Sequence, residues 1–166
     1  MFKIGEVVIH PALGPCRIKA IEERKILQET QKCFILIPIF DNENNLTIIL
    51  PVQNSKKIGL RKPLSQEKIE EIKEILSQKI DGRKIDNQEI SLPILQKKLS
   101  SGNPYIIAEI IRDLHAKIRQ DGGKYASARR RSFLKKAEQR LIREISLSTG
   151  LSIKEVRSEI NLILRA

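Results

Sequence analysis

Leu46-Thr-Ile-Ile-Leu-Pro-Val-Gln-Asn-Ser-Lys-Lys-Ile-Gly-Leu-Arg61 ends a strand-rich first third of the chain and leads into about a hundred basic, helix-patterned residues. Its aliphatic start reads as a strand, and Pro51 and Gly59 fit the closing end of a small β module. Immediately upstream, Asp41-Asn-Glu-Asn-Asn45 reads as a polar hairpin tip. Before it, residues 32–40 form a nearly continuous apolar, β-rich run, and residues 16–22 alternate. Val7-Val-Ile9 runs into His10-Pro11 and a Gly14-Pro15 turn.

About five short strands in some sixty residues predict a small barrel of the SH3 or Tudor kind. A small open barrel leaves a strand edge that needs protection or a partner strand. The runs 32–40 and 46–50 are the expected edges. Phe34, Leu36, Leu46, Ile48 and Leu50 would fill the interior; Ile35, Ile37, Thr47 and Ile49 would lie on the other face, more apolar than a solvated face requires.

The boundary falls near Lys62-Pro63-Leu64, because proline disfavours helix just before it and Ser65 is a good N-cap. Ile69, Ile72, Ile75 and Leu76 then recur at helical spacing up to about Ile80, and a turn follows at Asp81-Gly82. A short helix is expected over 92–99, and a longer one opens with Pro104 at its first position. Gly122-Gly123 breaks that helix, another runs from near Ser127 to Leu147, and Ser152-Ile-Lys-Glu155 is a capping box for the last. The expectation is α+β: a barrel domain over 1–62 and an all-α bundle of four to five helices over 63–166.

At 166 residues, 40% hydrophobic and 31% charged, the composition is that of a globular, cytoplasmic protein rather than a disordered or membrane-spanning one. Cys16 and Cys33 lack metal-ligand spacing and read as reduced buried thiols, so neither metal nor cofactor is expected. The net charge of +11 is unevenly placed. Residues 117–143 hold ten Lys/Arg against two Asp/Glu, which points to a polyanionic partner.

On the 127–147 helix, Leu134, Ala137, Leu141 and Ile145 fall on one face, and Arg129, Lys136, Arg140 and Arg143 on the opposite one. With Arg130, Arg131 and Lys135 on its flanks, that basic face suits phosphate contacts without base reading.

Phe2-Lys-Ile-Gly-Glu-Val-Val-Ile-His-Pro-Ala-Leu-Gly-Pro15, the 46–61 stretch, Ser101-Gly102 and Ala108-Glu-Ile-Ile-Arg-Asp-Leu114 together resemble the CarD/CdnL family of bacterial transcription regulators, over nearly the whole chain. The resemblance implies a Tudor-like domain that binds the RNA polymerase β subunit. It also implies a helical domain that contacts promoter DNA and helps hold the open complex, with the protein nucleoid-associated and monomeric. The first domain is shared with the transcription-repair coupling factor; the helical half points to CarD. By position, the family's polymerase-facing basic residue matches Arg24, beside Lys25, while Ile49 stands where some members carry an arginine. Ile37, Thr47 and Ile49 complete the expected polymerase face.

Well-studied members wedge a tryptophan into the minor groove, at a cost of a few kcal/mol in unstacking. Gln88 occupies that position, Ile90 and Ser91 replace the arginines that follow it, and the chain has no tryptophan. Gln88 and Asn87 retain the capacity to hydrogen-bond minor-groove acceptors. Lys117 and Arg131 match basic positions of the family's DNA-facing surface, and Lys79, Arg83 and Lys84 precede the missing wedge. Lys84, Gln88, Lys117, Arg129, Arg131, Lys136 and Arg140 are therefore the expected DNA-facing set, with low sequence specificity.

Catalysis is not expected, since the chain has no Gly-rich phosphate loop, no H-E-x-x-H and no G-x-S-x-G. The competing reading is a polymerase-binding adaptor whose helical half contacts protein rather than DNA.

Overall fold

The computed structural model describes residues 1–122 and 128–166. The chain divides into two compact units, Met1–Pro63 and Leu64–Ala166.

The first unit is built on four antiparallel strands in sequential order: β1 (Val7–His10), β2 (Gly14–Ile26), β3 (Glu29–Pro38) and β4 (Ile48–Pro51). The fifth strand expected from the sequence is reduced to one bridge. Ile9 donates to the Arg61 carbonyl (2.7 Å) and accepts from the Arg61 amide (3.2 Å), covering the outer side of β1. Between β4 and that bridge lie a short 3-10 turn and α1 (Ser55–Ile58), which ends on Gly59 in the left-handed conformation. Val8, Cys16, Ile18, Phe34, Leu36, Leu50 and Leu60 form the core, with Phe2 edge-on to Phe34.

Two strands run beyond their expected bounds. β2 and β3 continue to Ile26 and from Glu29, joined by Leu27 and Gln28 at φ 49° and 72°. A two-residue hairpin loop with two positive φ values normally calls for Asn-Gly, and Leu-Gln carries no such signal. β3 is also not an edge over residues 33–36, where it is paired on both sides. The edge is β4, and Leu46, expected inside, is 47% exposed.

The second unit holds α2 (Gln66–Ser77), a 3-10 turn at Gly82–Lys84, α3 (Leu92–Ser100), α4 (Pro104–Gln120), α5 (Ala128–Thr149) and α6 (Ile153–Arg165). The expected α5 start at Ser127, and Gly123 of the break before it, lie outside the described residues. Local signals set the ends. Ser65 accepts from the Lys68 amide, Asn103 from Tyr105, and Ser152 and Glu155 cap each other's amides at 3.1 and 2.7 Å.

α4 is the centre of this unit, burying Ile107, Ala108, Ile110, Ile111 and Leu114 among α2, α3, α5 and the 82–84 turn. Lys73 of α2 reaches Glu159 of α6 at 2.6 Å. Glu144 is buried on α5 and accepts from the Leu64 amide at 3.2 Å, fixing the point where the chain enters the bundle. Gly82 packs so closely on α4 that an added Cβ would sit 2.6 Å from the Ala116 carbonyl oxygen.

Gly82→Ala is therefore expected to displace the 82–84 turn from α4 and cost about 1–3 kcal/mol, as other overpacking changes do. Chemical denaturation checks this, and an unchanged midpoint would mean that the backbone yields freely. Burial pushes the Cys16 thiol up to about 11, so at pH 8 only about 0.1% is thiolate. Iodoacetamide should leave Cys16 unmodified in the native protein and label it on unfolding, as read by mass spectrometry of its peptide.

Candidate functional site

In the first unit, the five expected polymerase-facing residues fall into two groups. Arg24 and Lys25 lie on the distal half of the β2–β3 hairpin, opposite Gln31 and Thr30. The Arg24 guanidinium is 2.7 Å from Glu22, with both side chains about half exposed, so the pair adds little stability. Ile49 sits on β4 opposite Ile35, 48% exposed, and Thr47 is exposed just before that strand. Ile37 is half-buried and pairs with Arg17.

Gln31, opposite Arg24, and Ile35, opposite Ile49, are four residues apart on β3, about 13 Å at roughly 3.3 Å per residue. A charged hairpin end and an apolar edge strand thus stand apart. The apolar part gains Leu46, which the sequence assigned to the interior.

In the second unit, the expected DNA-facing residues form two clusters and one outlier. Lys84 and Lys117 meet at one corner: the Lys117 ammonium donates to the Gly82 carbonyl at 3.3 Å, holding the turn that carries exposed Lys84. Gln88 is exposed on the loop that follows, where its amide donates to Asp86 at 2.9 Å. Arg129, Arg131 and Lys136 make up the second group, exposed along the first turns of α5 with Lys135; at 100° per residue Arg129 and Lys136 share one side of the helix and Arg131 and Lys135 another.

Arg140 is the outlier. It is half-buried, and its guanidinium donates to the Leu99 carbonyl at 3.1 Å, near the C-terminus of α3. Net charge along a helix does not reveal which cations are engaged inside the fold.

The buried arc of α5 also differs from the expected stripe. Phe133, Ala137, Leu141, Ile142, Glu144 and Ile145 are buried, while Leu134 is only partly so. α5 packs on both α4 and α6, which broadens and turns the covered arc. Glu144 was missed by pattern reading, although its place between Leu141 and Ile145 marks a carboxylate inside an apolar arc. Among the described residues, no group of three or more His, Cys, Asp or Glu is placed to hold a metal ion, and no helix is long and apolar enough to cross a membrane.

Comparison with known proteins follows the same division. The family model described as CarD-like/TRCF RID domain matches residues 2–64. The one described as CarD, C-terminal domain, matches residues 71–161. "Putative transcription factor YdeB" of Bacillus subtilis (strain 168) is 26% identical over 158 residues, spanning 95% of this chain and 99% of that protein. With a CarD-like/TRCF RID domain and a CarD C-terminal domain matched in one chain, the protein belongs to the CarD family of transcription regulators.

Proposed function

We propose that the protein binds the RNA polymerase β subunit through its first unit and promoter DNA through its second, and so stabilises the open complex. It acts as a cytoplasmic monomer and has no catalytic role. The observation that carries the DNA half is the state of the α5 cations. Arg129, Arg131, Lys135 and Lys136 are exposed, and among the described residues none is engaged in a hydrogen bond or ion pair through its side chain. Such side chains neutralise phosphates without prior loss of an internal partner.

Exposed Lys84 and Gln88 add a second contact region, on a turn that Lys117 holds through the Gly82 carbonyl, with Gln88 offering hydrogen bonds rather than an intercalating ring. Engagement is therefore electrostatic and tolerant of sequence. Arg140, bonded to Leu99, belongs to the fold more than to this surface.

With four or five phosphate contacts, log K should fall with log salt at a slope near −4. On a forked promoter duplex with polymerase present, Arg129→Ala/Arg131→Ala/Lys136→Ala should weaken the protein-dependent gel shift and flatten that slope by about 3. A normal shift after those changes would end the DNA reading and leave the protein–protein adaptor.

For the polymerase half, support comes from the exposed edge of β4 at Ile49 and the charged hairpin end at Arg24. Arg24→Glu and Ile49→Glu are both expected to weaken co-purification with the β subunit while leaving the circular dichroism unchanged. Retention of full co-purification by both variants would move the contact elsewhere on the first unit.

A further inference from the structure

Apart from the surfaces above, the helical unit contains a cleft of about 510 Å³ between the end of α2, the 82–84 turn, the second half of α4 and the end of α6. A second recess of about 290 Å³ shares three of its residues: His115, Arg119 and Arg165. The larger volume falls in the range of small-ligand sites, about 300–1,000 Å³.

His115 and Arg119 stand one turn apart on α4, and Arg165 lies in the last turn of α6. The three basic side chains converge from two helices. Burial first, and then the charges of Arg119 and Arg165, hold the His115 imidazole below its usual range. Among the described residues, no hydrogen bond or ion pair engages any of these three side chains.

The neighbouring charges are largely matched. Asp81 is held by Arg83 at 3.1 Å, and Arg112 by Asp113 at 2.9 Å and by Gln78. Lys79 lines the cleft as a further cation, and Ala166, also in its wall, makes no ion pair with the three.

A plainer account is that cations favour helix C-termini. Each of these helix ends carries about half a negative elementary charge, so the ends of α4 and α6 together with the Ala166 α-carboxylate offset about two of the three positive charges brought by Arg119, Arg165 and Lys79. That account leaves the cleft positive and does not explain why the side chains converge on a half-buried histidine.

We propose that this cleft is a phosphate-binding site in which Arg119, Arg165 and His115 donate to a phosphoryl group, while Leu76, Ile80 and Ile163 form the wall for the less polar part of the ligand. Guanidinium groups present paired donors to such oxyanions, and a neutral imidazole still offers one N–H. The phosphoryl group comes from one of two sources, a small phosphorylated molecule or the backbone of DNA. The site lies outside the α5 cluster that carries the DNA reading, so the two are tested separately.

The full chain is titrated by calorimetry with pyrophosphate, with ADP, with adenosine as the uncharged control and with a short DNA duplex, and the His115 ring resonances are followed by NMR. Pyrophosphate or ADP should bind and move the His115 signals. Arg119→Gln/Arg165→Gln should weaken that binding at least about tenfold, the loss expected for charge-assisted hydrogen bonds, whereas Lys154→Gln, exposed at the other end of α6, should bind as the unaltered chain does.

If neither small probe binds but the duplex is weakened by the double substitution, the phosphate is that of DNA and the site stands. If neither probe binds and duplex affinity is unaltered by that substitution, the proposal is overturned, even where the α5 substitutions abolish duplex binding. Equal binding of the probes by the double variant and the unaltered chain overturns it as well.

Discussion

The helical unit depends on α4. At 100° per residue, Ile107, Ala108, Ile110, Ile111 and Leu114 cover an arc of about 160°, wider than the roughly 100° stripe of a helix that rests on a single partner. A helix so apolar cannot be satisfied by one neighbour, and α2, α3, α5 and the Gly82–Lys84 turn each cover part of it. The demand reaches the backbone, because only a residue without Cβ lets the turn come within contact of the Ala116 carbonyl. Lys117 then fastens the same turn from α4. The corner that carries Lys84 is thus set by core packing and not by loop sequence.

How much of this was legible follows from whether a signal is local. The caps at Ser65 and Ser152–Glu155 and the helix start at Pro104 depend on neighbours within a few residues and could be read directly. The β2–β3 hairpin could not be read in full, since Leu27-Gln28 lacks the residues that usually mark such a loop and its cost is met by the ladder on either side. Gly82 was legible as a turn residue but not as a packing requirement, because the clash that forbids a Cβ comes from a helix more than thirty residues away in sequence. The exposure of Leu46 has a similar origin: β4 begins only at Ile48, so alternation extrapolated from Leu50 runs past the end of the ladder.

The site residues divide along the same line. A positive stretch identifies a candidate surface, yet it does not separate Arg129 and Lys136, which face solvent, from Arg140, whose guanidinium is occupied by a carbonyl of α3. Glu144 shows the converse. Its carboxylate would be costly to bury alone, and by accepting from the Leu64 amide it joins the middle of α5 to the first residue of the unit. A sequence pattern locates charge; packing determines which of it remains available to a partner.

The distal half of the β2–β3 hairpin extends past the last residues paired to β4, so from Glu29 to Lys32 the outer side of β3 has no partner strand. Such a ribbon is a template on which copies of the same chain can stack. Glu22, Glu23, Arg24, Lys25 and Lys32 crowd both strands there with ionic groups that must be desolvated before another strand can add. Substitutions that make this segment more apolar would therefore be expected to shorten the shelf life of the purified protein, with turbidity rather than unfolding as the first symptom.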